Sequence, residues 1–205
     1  MGISTIASGD LSTAIGSSTT ASGLGSTAMG RLTKATGDRS TVTGINTQAH
    51  GFASFVIGQF NDTLVAPQTA MSSTTPLFII GNGTASNARS NVLVVRNDGK
   101  VGVGSNAPVS TLETGASFGA AITTISTNLT LTEAHHTVII TGGTPTITLP
   151  SPSAANRRMY ILVNYTAAAR NVSTYFNLTG TITSSIPPTS SITIQSNGSS
   201  WFQIR

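Results

Sequence analysis

Small, hydroxyl and glycine positions recur with a period of seven along residues 2 to 58. Glycine stands at Gly2, Gly9, Gly16, Gly23, Gly30, Gly37, Gly44, Gly51 and Gly58. Four residues before each glycine from Gly9 onward is a Ser or Thr (Thr5 through Ser54), and two before is Ala or Val (Ala7 through Val56). The unit is S/T-x-A-x-G-x-x, and such regularity marks a stacked repeat. A coiled coil shares the seven-residue period but wants Leu, Ile or Val at its seam, and each glycine inside a helix costs about 1 kcal/mol relative to Ala. As a strand the pattern is consistent. Hydroxyl, Ala and Gly lie two apart and share one face, small enough for two backbones to lie close. The repeat glycines are assigned to turns with positive φ.

A second period lies inside the first. The residues preceding the glycines include Ile15, Met29 and Ile57 on a 14-residue spacing, with Thr43 in the same slot, while Ser8, Ser22, Thr36 and His50 fill the alternate one. One coil is therefore two strands and two turns, apolar outward on one strand and polar on the other. An apolar stripe on so thin a roll needs a partner, and Ile15, Met29 and Ile57 are the expected contact between copies of the chain.

Residues 3 to 60 resemble the head repeats of YadA-like trimeric adhesins, which also occur in bacteriophage tail fibres and spikes. The resemblance implies a left-handed parallel β-roll with three chains about one axis. Four coils at about 4.8 Å per strand make a roll on the order of 20 Å long. Phe52, Phe55 and Phe60 crowd its end, as capping residues do in other repeats.

Beyond the roll the period breaks. Residues 61–76, with Pro67, Pro76 and a Ser-Ser-Thr-Thr run, read as a neck. Residues 77–112 form a hairpin unit: a buried strand at Leu77-Phe78-Ile79-Ile80, then two valine-rich strands around the turn Arg96-Asn97-Asp98-Gly99. Residues 113–122 are a small-residue linker. Residues 123–205 carry strands near 128–132, 137–141, 145–149, 159–164, 171–176, 191–195 and 200–204, which suggests a β-sandwich or knob. The middle segment and this last one resemble segments of phage tail fibres and related surface proteins. The fold expected is all-β: a homotrimeric fibre with an N-terminal β-roll, a middle β-hairpin unit and a C-terminal sandwich or knob.

Composition narrows the function. Only 8% of the 205 residues are charged, 38% are hydrophobic, and Ser and Thr number 61. That suits an extended β-rich fibre with a hydroxyl surface better than a soluble enzyme. The net charge of +4 comes from ten scattered basic residues, which form no nucleic-acid patch. No apolar run is long enough to insert into a membrane. The opening Met1-Gly2-Ile3-Ser4 lacks the regions of a secretion signal, which favours a fibre made in a host cytoplasm over an autotransported adhesin.

The chemistry of a catalyst is not legible. The six carboxylates (Asp10, Asp38, Asp62, Asp98, Glu113, Glu133) are dispersed, with no pair placed for acid–base work. There is no cysteine, and His135-His136 reads as a hydrogen-bonded edge pair rather than a metal site. The chain is expected to be no enzyme and to need no cofactor. Aromatics and arginines gather in the last unit instead. Arg157, Arg158, Tyr165, Arg170 and Tyr175 are the candidate receptor contacts, through stacking and charge-assisted hydrogen bonds to a glycan or protein. The same pattern allows Tyr160 and Tyr165 to pack inside. The expected function is host attachment by a trimeric fibre of a virion, its N-terminal end held by tail or baseplate proteins. The alternative is a bacterial surface adhesin or matrix filament.

Overall fold

The computed structural model describes residues 2–205, and no helix occurs among them. The chain divides into two compact units, residues 1–118 and 119–205.

The first unit opens on stacked coils. Its strands are β1 (Gly2–Ile3), β2 (Ile6–Ala7), β3 (Thr13–Ser17), β4 (Thr20–Ala21), β5 (Thr27–Arg31), β6 (Lys34–Ala35), β7 (Thr41–Ile45), β8 (Gln48–Ala49) and β9 (Phe55–Gln59). Odd-numbered strands stack in one parallel sheet and even-numbered ones in a second, β2-β4-β6-β8. Each residue pairs with the residue 14 further on, Ile15 with Met29 and Ala21 with Ala35. One coil is thus two strands and two turns. Ala21, Ala28, Ala35, Val42, Ala49 and Val56 fill the narrow interior and are wholly buried, as are the hydroxyl residues Thr19, Ser26, Thr33, Ser40 and Thr47.

The glycines serve a different purpose from the one expected. The left-handed residue of every turn lies two positions after the glycine: Ser4, Leu11, Ser18, Gly25, Leu32, Arg39, Asn46, Ala53 and Phe60 have φ between 42° and 61°. Gly9, Gly23, Gly37 and Gly51 have no positive φ, whereas Gly16, Gly30, Gly44 and Gly58 have φ between 102° and 129° but lie inside strands rather than at the turns. In those strands the stacking excludes a side chain as firmly as the backbone conformation does. A Cβ on Gly16 would run into the carbonyl oxygen of Gly30, one on Gly30 into that of Gly44, and one on Gly44 into that of Gly58.

The sheet does not stop where the repeat does. β10 (Pro76–Asn82) stacks on β9 in parallel, with Gly81 opposite Gly58. β11 (Asn91–Arg96) and β12 (Val101–Val103) follow antiparallel, and β13 (Leu112–Thr114) pairs parallel with β12. The hairpin is therefore part of the roll's own nine-stranded sheet. The sequence read residues 112–114 partly as linker. Residues 61–76 lie against the end of the roll: the Phe52 N–H donates to the Pro67 carbonyl (2.9 Å), Asp38 N–H to Gln68 (2.8 Å), and Ala66 is buried.

Side-chain amides finish the second sheet. Asn61 is wholly buried. Its Oδ1 accepts from Gln48 N–H (2.7 Å) and its Nδ2 donates to the Gln48 carbonyl (3.1 Å), in place of a further strand beside β8. Asn91 does the same for Asp62, accepting from its N–H and donating to its carbonyl, both at 3.0 Å.

The second unit contains β14 (Ile122–Ile125), β15 (Leu129–Thr130), β16 (Thr137–Ile140), β17 (Thr146–Thr148), β18 (Met159–Asn164), β19 (Arg170–Phe176), β20 (Ile182–Ile186), β21 (Ser190–Ser196) and β22 (Trp201–Gln203). The strand order is β14-β16-β18-β21-β22-β19-β17-β15, with β20 beside β19. Where a sandwich or knob is expected, the unit has a single sheet whose two arms share one core. Its first six strands stack in parallel as three coils, β14-β16-β18 over β15-β17-β19. Val138, Ile140, Leu162, Ile192 and Ile194 from one arm enclose the core with Ile147, Leu149, Val172 and Tyr175 from the other. No period announces these coils, because the registers step by unequal lengths: Ile122 pairs with Thr137, and Thr137 with Ile161. Strands at 122–125 and 182–186 escaped the sequence reading.

Candidate functional site

Two surfaces stand out, one in each unit. In the first, the outward face of the long sheet carries an apolar ladder interrupted at Thr43. Ile15 pairs with Met29 and Met29 with Thr43. Ile57 pairs with Ile80, Ile80 with Leu93, and Leu93 with Val103. A second row runs beside it, Phe55 opposite Phe78, Val95 opposite Phe78, and Val101 opposite Val95. The Phe55 and Phe78 rings stack with centroids 5.7 Å apart. Ile15 is 46% exposed and Met29 38% exposed, while Ile57 is half-buried. Strand alternation puts these side chains outward because Ala14, Ala28 and Val56 between them point inward. The sequence reading found Ile15, Met29 and Ile57 by their spacing but missed Phe55, Phe78, Val95 and Val101. The available signal was alternation: Phe55 lies two residues before Ile57, and Phe78 two before Ile80.

The turn arginine Arg89 ties the hairpin to the roll. Its Nη1 donates to the carbonyls of Asn46 and Asn61, both at 3.0 Å, and its Nη2 to the Asn46 side chain. Asp98 bridges Arg96 (3.0 Å) and Lys100 (3.1 Å) across the hairpin turn. Partial desolvation works against ionisation of Asp98. The hydrogen bonds from Lys100 and the charges of Arg96 and Lys100 outweigh it and hold the carboxyl below its usual range.

In the second unit the predicted contacts do not form one group. Arg157 and Arg158 precede β18, whereas Tyr165 follows it and Arg170 opens β19, beyond the far end of a strand about 20 Å long. Arg157 is exposed, with φ 66°. Arg158 reaches Glu133 at 3.9 Å and the Tyr160 hydroxyl at 3.4 Å. Tyr165 is 69% exposed and does not pack inside, while Tyr160 is wholly buried. Arg170 donates to the Ala169 carbonyl at 3.1 Å. Tyr175 must be withdrawn as an outward contact. It is 3% exposed, its hydroxyl donates to the Ser185 carbonyl (2.9 Å), and burial pushes its phenol pKa up.

The histidines are engaged in hydrogen bonds. His135 Nδ1 accepts from the Thr132 N–H (3.0 Å), and His136 Nδ1 pairs with the Thr137 hydroxyl (3.1 Å). His50, expected on the open surface, is half-buried between Thr36 and Gln68, each 3.1 Å from its Nδ1. Among the described residues no group of three or more His, Cys, Asp or Glu could hold a metal.

Stacked 14-residue coils with a glycine ladder define the first unit as a β-roll of the repeat type. Residues 7–33 and 21–47 each match the family model of the YadA head domain repeat. These two copies lie within the roll and are similar to that repeat. No curated protein and no solved structure matches the chain.

Proposed function

We propose that the protein is a homotrimeric adhesin of a bacterial surface, in which the β-roll supplies the trimer contact and the second unit supplies recognition. The observation that carries this reading is the apolar ladder. Two adjacent rows, Ile15 and Met29 through Ile57 to Val103 and Phe55 to Val101, lie on the outward face of one chain and need burial. Three copies of the roll meeting along that face would bury it. Of the two settings the sequence admits, the repeat match favours the cell surface, and no comparison supports a virion tail. A trimer presents three copies of any weak site on one scaffold, which raises the effective concentration of each. Arg157, Arg158, Tyr165 and Arg170 remain available for receptor contact as two separate pairs.

Light scattering at micromolar concentration is expected to give about 62 kDa, three times the 20.8 kDa chain. Labelled protein should also bind a cell or matrix surface saturably. A monomer, or only linear non-saturating uptake, removes the proposal.

A further inference from the structure

β19 changes partners along one edge. Asn171 and Val172 pair with β17, but β17 ends at Thr148, and β22 meets β19 only at Phe176. The stretch between, Ser173 to Tyr175, faces a cleft of about 420 Å³, within the range of small-molecule sites. Its two rims are fastened to each other. The Trp201 indole N–H donates to the Pro150 carbonyl (3.0 Å), and the Ser196 hydroxyl to that of Pro152 (2.8 Å). The turn at 197–200 is held by the Asn197 side chain, which accepts from the N–H groups of Ser199 and Ser200, both at 2.9 Å. With Pro150 and Pro152 stiffening one rim, the cleft is preformed, so a ligand meets little ordering cost.

We propose that this cleft binds a neutral saccharide, and that it is the recognition site of the second unit; the inference rests on the adhesin reading above. No charged side chain lines it, so it offers no counter-charge to an anionic or cationic ligand. The lining is mixed. Phe176 and Ile182 give apolar surface beside Trp201, which is 3% exposed, and Thr174, Ser199 and Ser200 contribute hydroxyls that hold no hydrogen bond within the described chain. A pyranose has this double character, with a C–H face and a rim of hydroxyls that both donate and accept. An aliphatic ligand would leave the hydroxyls unpaired, which costs free energy. Of the five candidates read in the sequence, Arg157, Arg158, Tyr165 and Arg170 lie outside the lining, and Tyr175 is in it but only 3% exposed.

Trp201 is the chain's one tryptophan and lies in the cleft wall, so its emission reports on the site. The full-length protein is titrated to 10 mM with maltotriose, cellotriose, laminaritriose and chitotriose, and with a hyaluronan tetrasaccharide as the anionic probe. At least one neutral trisaccharide is expected to shift Trp201 emission saturably, and the anionic probe is not. Thr174→Phe, at an exposed strand position, should weaken that binding at least tenfold while leaving the emission of the free protein unchanged. Silence of all four neutral probes overturns the proposal, as does a response to hyaluronan of equal strength or undiminished binding by the variant. If Thr174→Phe disturbs the free emission, Ser200→Leu takes its place with the same expectation. Saturable cell binding by wild-type and variant alike rejects the cleft and keeps the adhesin reading. Absence of cell binding by both rejects the adhesin reading itself.

Discussion

At the scale of single residues, one repeat position is governed by sterics and another by backbone conformation. Gly30→Val should damage the roll severely, by about 3 kcal/mol or more. The added Cβ meets the Gly44 carbonyl, and φ is 113° there. The measurement is the thermal transition of the β-sheet circular dichroism signal; an unchanged midpoint removes the steric account. Two residues on, the expectation reverses. Leu32 is left-handed at φ 57° and 40% exposed, and Asn46 already fills the equivalent turn slot. Leu32→Asn should therefore raise stability by up to about 1 kcal/mol, since Asn tolerates that region better. The sequence displayed the glycine ladder in full. It did not reveal which residue turns the chain, because Ser, Leu, Arg, Ala and Phe at those slots share no chemistry. Only a coil closing on its neighbour imposes the conformation.

At the scale of elements, side-chain amides and one carboxylate hold the edges. Asn61→Ala removes both partners of the Gln48 backbone and leaves part-buried groups unpaired, at about 1 kcal/mol for each. Hydrogen exchange of the Gln48 amide should accelerate accordingly; unchanged protection would show that β8 needs no such cap. Glu113, on β13, accepts from the Ser105 hydroxyl (2.7 Å) and the Val109 N–H (2.8 Å), and these bonds lower its pKa below the ordinary 4.5. A carboxyl lowered in the folded state stabilises above its unfolded pKa, and that contribution is lost as pH falls through the lower folded value. Protection of the Val109 amide should thus hold above pH 4.5 and be lost as pH falls through the lowered folded value. Glu113→Gln should abolish the pH dependence. The elements around these bonds were unevenly legible. The Asp98-Gly99 hairpin followed from its turn residues, whereas β13, three residues long and paired to β12 across 103–112, carries no local signal.

At the scale of the whole molecule, the predictions concern association and recognition. Met29→Lys places a charge on the 38%-exposed ladder position, and three copies would converge if the trimer forms along that face. The trimer should dissociate at protein concentrations where the wild type stays assembled, as read by light scattering. Phe78→Lys should do the same, although it lies outside the seven-residue repeat. A chain lacking residues 119–205, if it remains trimeric, should lose saturable cell binding. Equal binding would move recognition into the first unit.

The sequence alone determined the roll. Its period, its two strands per coil and the stripe of Ile15, Met29 and Ile57 all follow from side chains that must repeat when identical coils stack. Tertiary structure alone decided what has no period. It extended the sheet through β10 to β13, because backbone pairing needs an open edge rather than a repeated residue. It folded the second unit from coils of unequal length, placed Arg157 and Tyr165 at opposite ends of β18, and buried Tyr175. It also opened the cleft beside Ser173–Tyr175, where β17 departs before β22 arrives. A gap between two strands belongs to their register, and register between distant segments is written in no single stretch of chain.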